Sequence, residues 1–562
     1  MQNSKKAIAL IICLIMTLTL LAACGNNGST TQESNAPASS SANQPQSTPS
    51  AAPALPSASA AQPTSGDQSF IQAAPTDESV KYAEHLEVLL DSNLSVINPC
   101  SPAGSSGTAN TATYAMIYDR LIEYDKDAAV HVPALATRWE TDDWQTFRFY
   151  LRDDVYFHNG DKFTAQDVVN TVEIAREAPG TIISTNLSGI ATATAIEEYT
   201  VEFVLDSVNV YFLFNIDLSI IGMLNKRAIE ADSVEGFYIG TGPYKVTDFS
   251  TNDYVSFERN DDYWGVLPIT KTQTWRYLPE VSTRAIRLQN KEAHVAMQVA
   301  TGDIKFFRDS PDFVTFAVLQ NDSHSVQFNM KDPICSDLNF RLAVVHALDR
   351  EACAIVAMED MYILPTDGSP GWGYITPMRN TSIPLISQDL DLARKYLADS
   401  IYNGEVIEIT TARIDNVRAM EAAQEQLAKI GIKASVNEMD QASFLAFATG
   451  LEENGQILFW PQVLSADQRS YRSIYYTKMG PNRSKYSNPK VDEMLDLVQT
   501  IINPAERETI YMELQEIIYA DLPTMTLYYR ALEFAAAKGV GGVRTEINTS
   551  YDFRNMYMTL DN

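Results

Sequence analysis

The stretch from Leu135 to Val169 constrains the fold more than any other, because its elements can be read residue by residue. Phe147, Phe149 and Leu151 alternate with Arg148, Tyr150 and Arg152, the period of two expected of a strand with one buried face. His158-Asn159-Gly160-Asp161 reads as a tight turn, since Asn and Gly tolerate the positive backbone angles it needs. Thr164 is then a helix N-cap, with Asp167 three residues later in the capping-box position, where a carboxylate also favours the positive end of the helix dipole. The order is strand, turn, helix.

A chain of 562 residues exceeds the size at which one core keeps growing, so two or more lobes are expected. A formal charge of -29 argues against a nucleic-acid partner, which needs a basic footprint. Near the start, Lys5 and Lys6 precede an apolar run from Ala7 to Leu21 that ends in Leu21-Ala22-Ala23-Cys24. This is a targeting segment, and the tetrapeptide resembles the bacterial lipobox, which makes Cys24 the lipidated residue. Residues 1–23 are then a lipoprotein signal peptide and 24–77, rich in Ser, Ala and Pro, a disordered tether that buries too little apolar surface to offset its ordering entropy. An ordinary signal peptide or short anchor helix is the alternative. Three cysteines remain, Cys100, Cys335 and Cys353. A Cys335–Cys353 bridge is chemically open outside the membrane, and isolated buried thiols are the default.

Beyond the tether, Leu86, Val88 and Leu90 alternate as a strand, and Tyr114 to Asp125 reads as an amphipathic helix running into a strand. Tyr199 to Leu205 is a strand; Gly240-Thr241-Gly242-Pro243-Tyr244 opens a hairpin that turns at Asn252-Asp253. Ser325 to Asn329 is a short strand, and Arg341 to Arg350 a helix capped by Asp337. Val406 to Thr410, the helical face Met420, Ala423, Leu427 and Ile430, the C-cap Gly431, and the alternation of Ile432, Ala434 and Val436 form a β-α-β crossover with parallel strands. Asn503-Pro504-Ala505-Glu506 starts a helix that runs to Ala520, before a strand from Thr524 to Tyr529.

These residues carry a resemblance. Leu135, Ala136, Trp139, Asp143, Phe149, Leu151, Arg152, Val155, Phe157, His158, Gly160, Thr164, Ala165, Asp167 and Val168 match the signature block of the bacterial extracellular solute-binding proteins of family 5. Gly240 to Tyr244, then Arg259, Asn260, Tyr263 and Trp264, match its next block, and Phe328, Asn329, Pro333, Asp337, Arg341, Ala343, Ala347, Asp349 and Arg350 a third. The resemblance spans about Tyr82 to Gly542. It implies a two-lobed α/β periplasmic-binding-protein-like fold of type II, in the large cluster with an extra subdomain, hinged on two crossings near Ser325–Phe328 and Thr526–Arg530. Residues 78–127, 240–325 and 529–562 would form lobe I, 128–239 its extra subdomain and 326–528 lobe II.

The implied role is the substrate-binding component of an ABC importer, anchored by lipid at the extracytoplasmic face of the cell membrane, without catalysis or cofactor. Its partners are then a peptide or other small polar solute and the permease and ATPase subunits, with no nucleic acid, and the chain is expected to be a monomer. A peptide-sensing receptor, or a binder of nickel chelates or oligosaccharides, are the alternatives, with an orphan hydrolase as a third. The sequence contains no Gly-x-Ser-x-Gly elbow, no His-Glu-x-x-His and no phosphate loop. Its six histidines lack ligand spacing. Trp460 to Tyr471 occupies the family's cleft-lining loop, in which peptide binders place an Asp three residues after the Trp. Here that position is Val463, and Asp467 is the nearest substitute. The candidate ligand-binding residues are Trp460, Asp467, Arg469, Trp372 and Tyr374; no metal-binding residue is expected.

Overall fold

The computed structural model describes residues 80–560 apart from 105–106, 126–129, 218, 360, 371–377, 450–454, 464–468 and 546–550. Signal peptide, Cys24 and tether lie outside the described residues. In chain order, β1 (His85–Leu90) and the buried helix α1 (Thr108–Ile117) come first. Next come β2 (Ala136–Glu140), β3 (Thr146–Leu151), α2 (Ala165–Arg176), β4 (Ile190–Glu197) and β5 (Thr200–Leu205). These four strands make a separate antiparallel sheet, in the order β2-β3-β5-β4. The chain returns through β6 (Tyr244–Ser250), β7 (Tyr254–Arg259), β8 (Thr272–Tyr277), α3 (Val281–Gln289) and β9 (Val295–Ala296) to the 16-residue β10 (Phe313–Phe328). There follow α4 (Leu338–Ala347), α5 (Arg350–Met358), β11 (Tyr362–Ile363), β12 (Val406–Ala412) and α6 (Ile414–Ala428). The last elements used below are β13 (Lys433–Met439), α7 (Gln441–Thr449), β14 (Ile457–Val463), α8 (Arg469–Tyr475), α9 (Pro504–Asp521) and the 14-residue β15 (Thr524–Ala537).

One large sheet runs in the order β13-β12-β14-β10-β15-β9-β1-β8-β7-β6, with β11 added beside β15. β10 and β15 serve both lobes. Phe313–Leu319 pairs with Ala531–Ala537 on the first-lobe side, and Ser323–Gln327 with Thr524–Tyr529 on the second. Two main hydrophobic cores follow the same division: one gathers Leu86, Val88, Phe147, Phe149, Val201 and Trp275, the other Val326, Phe328, Val344, Ile407, Met420 and Phe459.

The opening block folds as read. Phe147, Phe149 and Leu151 are buried while their neighbours are half-exposed, Gly160 has φ 86°, and Thr164 and Asp167 form both arms of the capping box. The matched motifs turn out to be architectural. A Cβ on Gly240 would lie 2.1 Å from the Ile117 carbonyl oxygen, and one on Gly242 2.6 Å from the Ile117 carbonyl carbon, so only glycine lets this segment close on the end of α1. His158 ties the turn to it: Nε2 donates to the Gly242 carbonyl at 2.9 Å and Nδ1 accepts from the Gly240 amide at 3.3 Å. Tyr263 Oη, Trp264 Nε1 and Thr241 Oγ1 all donate to the buried Asp119 carboxylate, at 2.9, 2.8 and 3.0 Å. Even so, burial pushes the Asp119 carboxyl up to about 6.

Four readings are corrected. The helix expected from Tyr114 begins at Thr108 and is buried almost all round, so its face carries no amphipathic signal. The helix expected from Arg341 to Arg350 is two, α4 capped by Asp337 and α5 capped by Asp349; the chain turns extended at Leu348. The strands expected at Ser325–Asn329 and Thr524–Tyr529 are the second-lobe ends of longer ones. For the same reason the first crossing falls at 319–323, not Ser325–Phe328, whose residues are flanked on both edges by β14 and β15 inside the second lobe. Cys335 and Cys353 are separate buried thiols.

The half-buried His158 predicts a pH dependence. Burial pushes its imidazole down to about 4, below the ordinary value of about 6.5 of an unfolded chain. The unfolded chain therefore takes up the proton first as pH falls. The stability that neutral His158 contributes is complete above pH 6.5 and is lost between 6.5 and 4. Between pH 7.5 and 4.5 wild type should lose about 1–2 kcal/mol more stability than His158→Gln in urea unfolding; equal losses would contradict the assignment.

Candidate functional site

The parallel strands of both lobes point their C-terminal ends at the crossing. β9 and β8 flank β1 in parallel, and Ala296 at the end of β9 pairs with Ala535 of β15. In the second lobe β12 runs parallel to β13 and β14, and Val463 at the end of β14 pairs with Asp322. In open α/β sheets ligands bind beyond such strand ends. The loops after β1, β9 and β12 therefore border one interlobe site.

The crossing is built irregularly. Leu319 pairs with Ala531 and Ser323 with Tyr529, so residues 320–322 stand against Arg530 alone, a bulge of the kind that re-aims side chains. Beyond it Ser323, Ser325, Gln327, Gln462 and Thr526 form a buried polar patch. Ser323 Oγ lies 2.6 Å from Ser325 Oγ and 3.1 Å from Thr526 Oγ1, and Gln327 Nε2 donates to the Trp460 carbonyl at 2.9 Å. The Oε1 atoms of Gln327 and Gln462 have no hydrogen-bond partner among the described residues. Buried polar atoms are rarely left so.

Charge gathers at the same place. His324 stacks on Tyr528 with ring centroids 4.8 Å apart, and its Nδ1 lies 3.0 Å from Asn416 Oδ1. Burial, and then Arg530 and Arg413, hold its imidazole well below the ordinary range. Arg413 follows β12 with φ 73°, a left-handed conformation disfavoured for a side chain. It heads α6 and pairs with Asp415 at 2.8 Å. From the first lobe comes Asp91, directly after β1. Burial raises its carboxyl, while Arg284 and Arg530 act to lower it.

The lobes also meet away from the crossing. Tyr211, before the helix Phe212–Ile216, places Oη 3.0 Å from Tyr511 Oη of α9, and the Val210 amide donates to the Gln499 carbonyl at 3.1 Å. A concavity of about 500 Å³ lined by Leu342, His346, Tyr396 and Tyr519 lies elsewhere, between α4, the helix Leu390–Ala398 and the end of α9. It contains no residue of the crossing.

Trp460 lies on β14, buried, its ring 4.8 Å from that of Phe444 in a cluster with Ala412, Ala448 and Leu458. Arg469 opens α8. Asp467, Trp372 and Tyr374 lie outside the described residues. Arg530, Arg413, Asp91 and His324 escaped sequence reading; of these only Arg530 carried a signal, a charge inside an otherwise apolar and aromatic strand run. Among the described residues no three His, Cys, Asp or Glu side chains form a group able to hold a metal ion.

With this geometry in place, the chain can be set beside known proteins. The family described as bacterial extracellular solute-binding proteins, family 5 Middle, matches residues 131–481. The glutathione-binding protein GsiB of Escherichia coli (strain K12) is 25% identical over 498 residues, covering 84% of this chain and 94% of GsiB. The periplasmic binding protein DppA of Helicobacter pylori, solved in complex with the peptide STSA, superposes with a TM-score of 0.72 at 23% identity, over 86% of this chain and 99% of DppA. NikA of Staphylococcus aureus, solved in complex with Ni(L-His)2, superposes at 0.69 and 17% identity, over 85% of this chain and 100% of NikA. The two-lobed α/β architecture is thus shared with proteins that hold quite different small ligands.

Truncating Trp460 should leave a cavity against Phe444. Trp460→Ala should cost about 3 kcal/mol in denaturant unfolding and Trp460→Phe clearly less; an unchanged midpoint for Trp460→Ala would show that the ring is not part of this cluster.

Proposed function

Because the chain belongs to the bacterial extracellular solute-binding proteins of family 5, the binding components of ABC importers, we propose that it captures a peptide or similar small polar solute between its lobes and delivers it to a permease. It does so as a lipoprotein held by Cys24 at the extracytoplasmic face, with residues 24–77 as the tether. Residues 78–127, 240–325 and 529–562 act as lobe I, 128–239 as its extra subdomain and 326–528 as lobe II. The chain works as a monomer and has no catalysis of its own.

The observation that carries this reading is the family match across residues 131–481, which takes in most of both lobes, together with the buried polar patch at the crossing. Serine, threonine and glutamine side chains at the floor of a cleft suit a ligand rich in amide donors and acceptors, which a peptide backbone supplies whatever its side chains. The relative GsiB binds glutathione and DppA was solved with a tetrapeptide, STSA, and both support a peptide-class solute here. Asp467 and Arg469, in the segment after β14, and Trp372 and Tyr374 are assigned to the cleft wall, and the edge of Trp460 to its floor.

Native mass spectrometry of the folded part, purified without refolding from cells grown in rich medium, tests this. Extra masses that fragment into short peptides are expected. A bare protein that gains no mass from medium extract or a peptide mixture would contradict the reading, and a single non-peptide mass would replace the solute class while leaving the binding role.

A further inference from the structure

Five arginines are buried among the described residues: Arg120, Arg284, Arg341, Arg530 and Arg554. Four are saturated. Arg120 binds Glu123 at 3.0 Å and the Asp217 carbonyl. Arg284 donates to the carbonyls of Leu278, Pro279, Met297 and Gln298. Arg341 donates to those of Cys335 and Asp521, at 2.7 and 2.8 Å. Arg554 pairs with Glu123 at 2.7 Å and Asp552 at 2.9 Å.

Arg530 differs. Only 8% exposed, its guanidinium makes no hydrogen bond or ion pair with any described residue, and its Nε has no partner. It sits where the β10–β15 register breaks, and its field reaches Asp91 of the first lobe and His324 and Tyr528 of the second. Tyr528 adds a buried hydroxyl with no partner among the described residues. Taking an unpaired guanidinium out of water is costly, a cost that a strand position open to any apolar residue would not otherwise carry. Among the described residues, the charged groups whose fields meet here are Arg284, Arg413 and Arg530 against Asp91 and Asp415. A planar fork of N–H donors fits a carboxylate edge on.

We propose that Arg530 receives a carboxylate of the bound solute, with the Tyr528 hydroxyl beside it, so that the solutes of this protein are carboxylate-bearing molecules. The proposal rests on the interlobe site being the binding site. Asp91 is the rival partner: if Arg530 only paired with Asp91, the solute's carboxyl would not matter.

The test uses the folded chain with two probe sets: di- to pentapeptides as free acids beside the same peptides C-terminally amidated, and small mono- and dicarboxylates beside their primary amides. Uptake is read by native mass spectrometry and calorimetry. Wild type should favour acid over amide at least tenfold, Arg530→Gln should lose that preference, and Arg530→Lys should keep part of it. Equal uptake of acid and amide by wild type, an Arg530→Gln variant with undiminished preference, or no uptake of any carboxylate-bearing probe would each overturn the proposal. If Arg530→Gln fails to fold, the wild-type comparison and Arg530→Lys decide. A wild type that retains another solute from medium extract while ignoring carboxylates would sink this inference alone; one that retains nothing would sink the binding reading as well.

Discussion

Everything in this molecule hangs on two strands that belong to two lobes at once. β10 and β15 pair over most of their length, so a single hydrogen-bonded ribbon carries the chain from one core to the other and back. The ribbon's register shifts between the lobes, where residues 320–322 face Arg530, and again just inside the second lobe, between His324 and Ser325. A ladder that loses its register there can bend without breaking the pairs on either side, and hinge motions concentrate at a few such positions. The parallel strands of both lobes end beside the same break, so the part of the sheet able to bend is also the part bordered by loops able to hold a ligand.

The electrostatics follow from that geometry. Polar groups at a bend between two cores are shielded from water without being enclosed in either core's hydrogen-bond ladder. Arg530 acts on Asp91 from the first lobe and, with Arg413, on His324 of the second through low-dielectric protein. An unmet guanidinium in that setting stores free energy that a complementary solute releases. Charges from the two lobes meet at this bend. The contacts of Val210 with Gln499 and of Tyr211 with Tyr511, distant in sequence from the crossing, join the two lobes a second time.

Much of the fold was legible because its signals are local. The alternation of Phe147, Phe149 and Leu151 and the Thr164–Asp167 capping box are written in adjacent residues, and so is the βαβ unit from Val406 to Met439, whose strands are parallel. The first crossing was displaced because nothing in the run from Phe313 to Phe328 marks where one lobe's sheet ends; the break is set by what lies on either edge. The site was less legible still. Arg530, Asp91, Arg413 and His324 come from four separate elements, and only the fold brings them together. The motif residues His158, Tyr263 and Trp264, conspicuous in the sequence, serve instead to hold the Gly240–Tyr244 segment and Asp119 in place.

The most direct test of the account is the distance between the lobes with and without solute. Spin labels at Ile196 and Ile401, both exposed, one on β4 and the other in the second lobe, report it by double electron–electron resonance. The solute-loaded protein should give a short, narrow distribution, and the protein stripped in denaturant and refolded a longer, broader one that returns on adding back the released solute. A distribution unchanged by stripping and reloading would contradict the claim that the bulge at 319–323 is a hinge on which the lobes close.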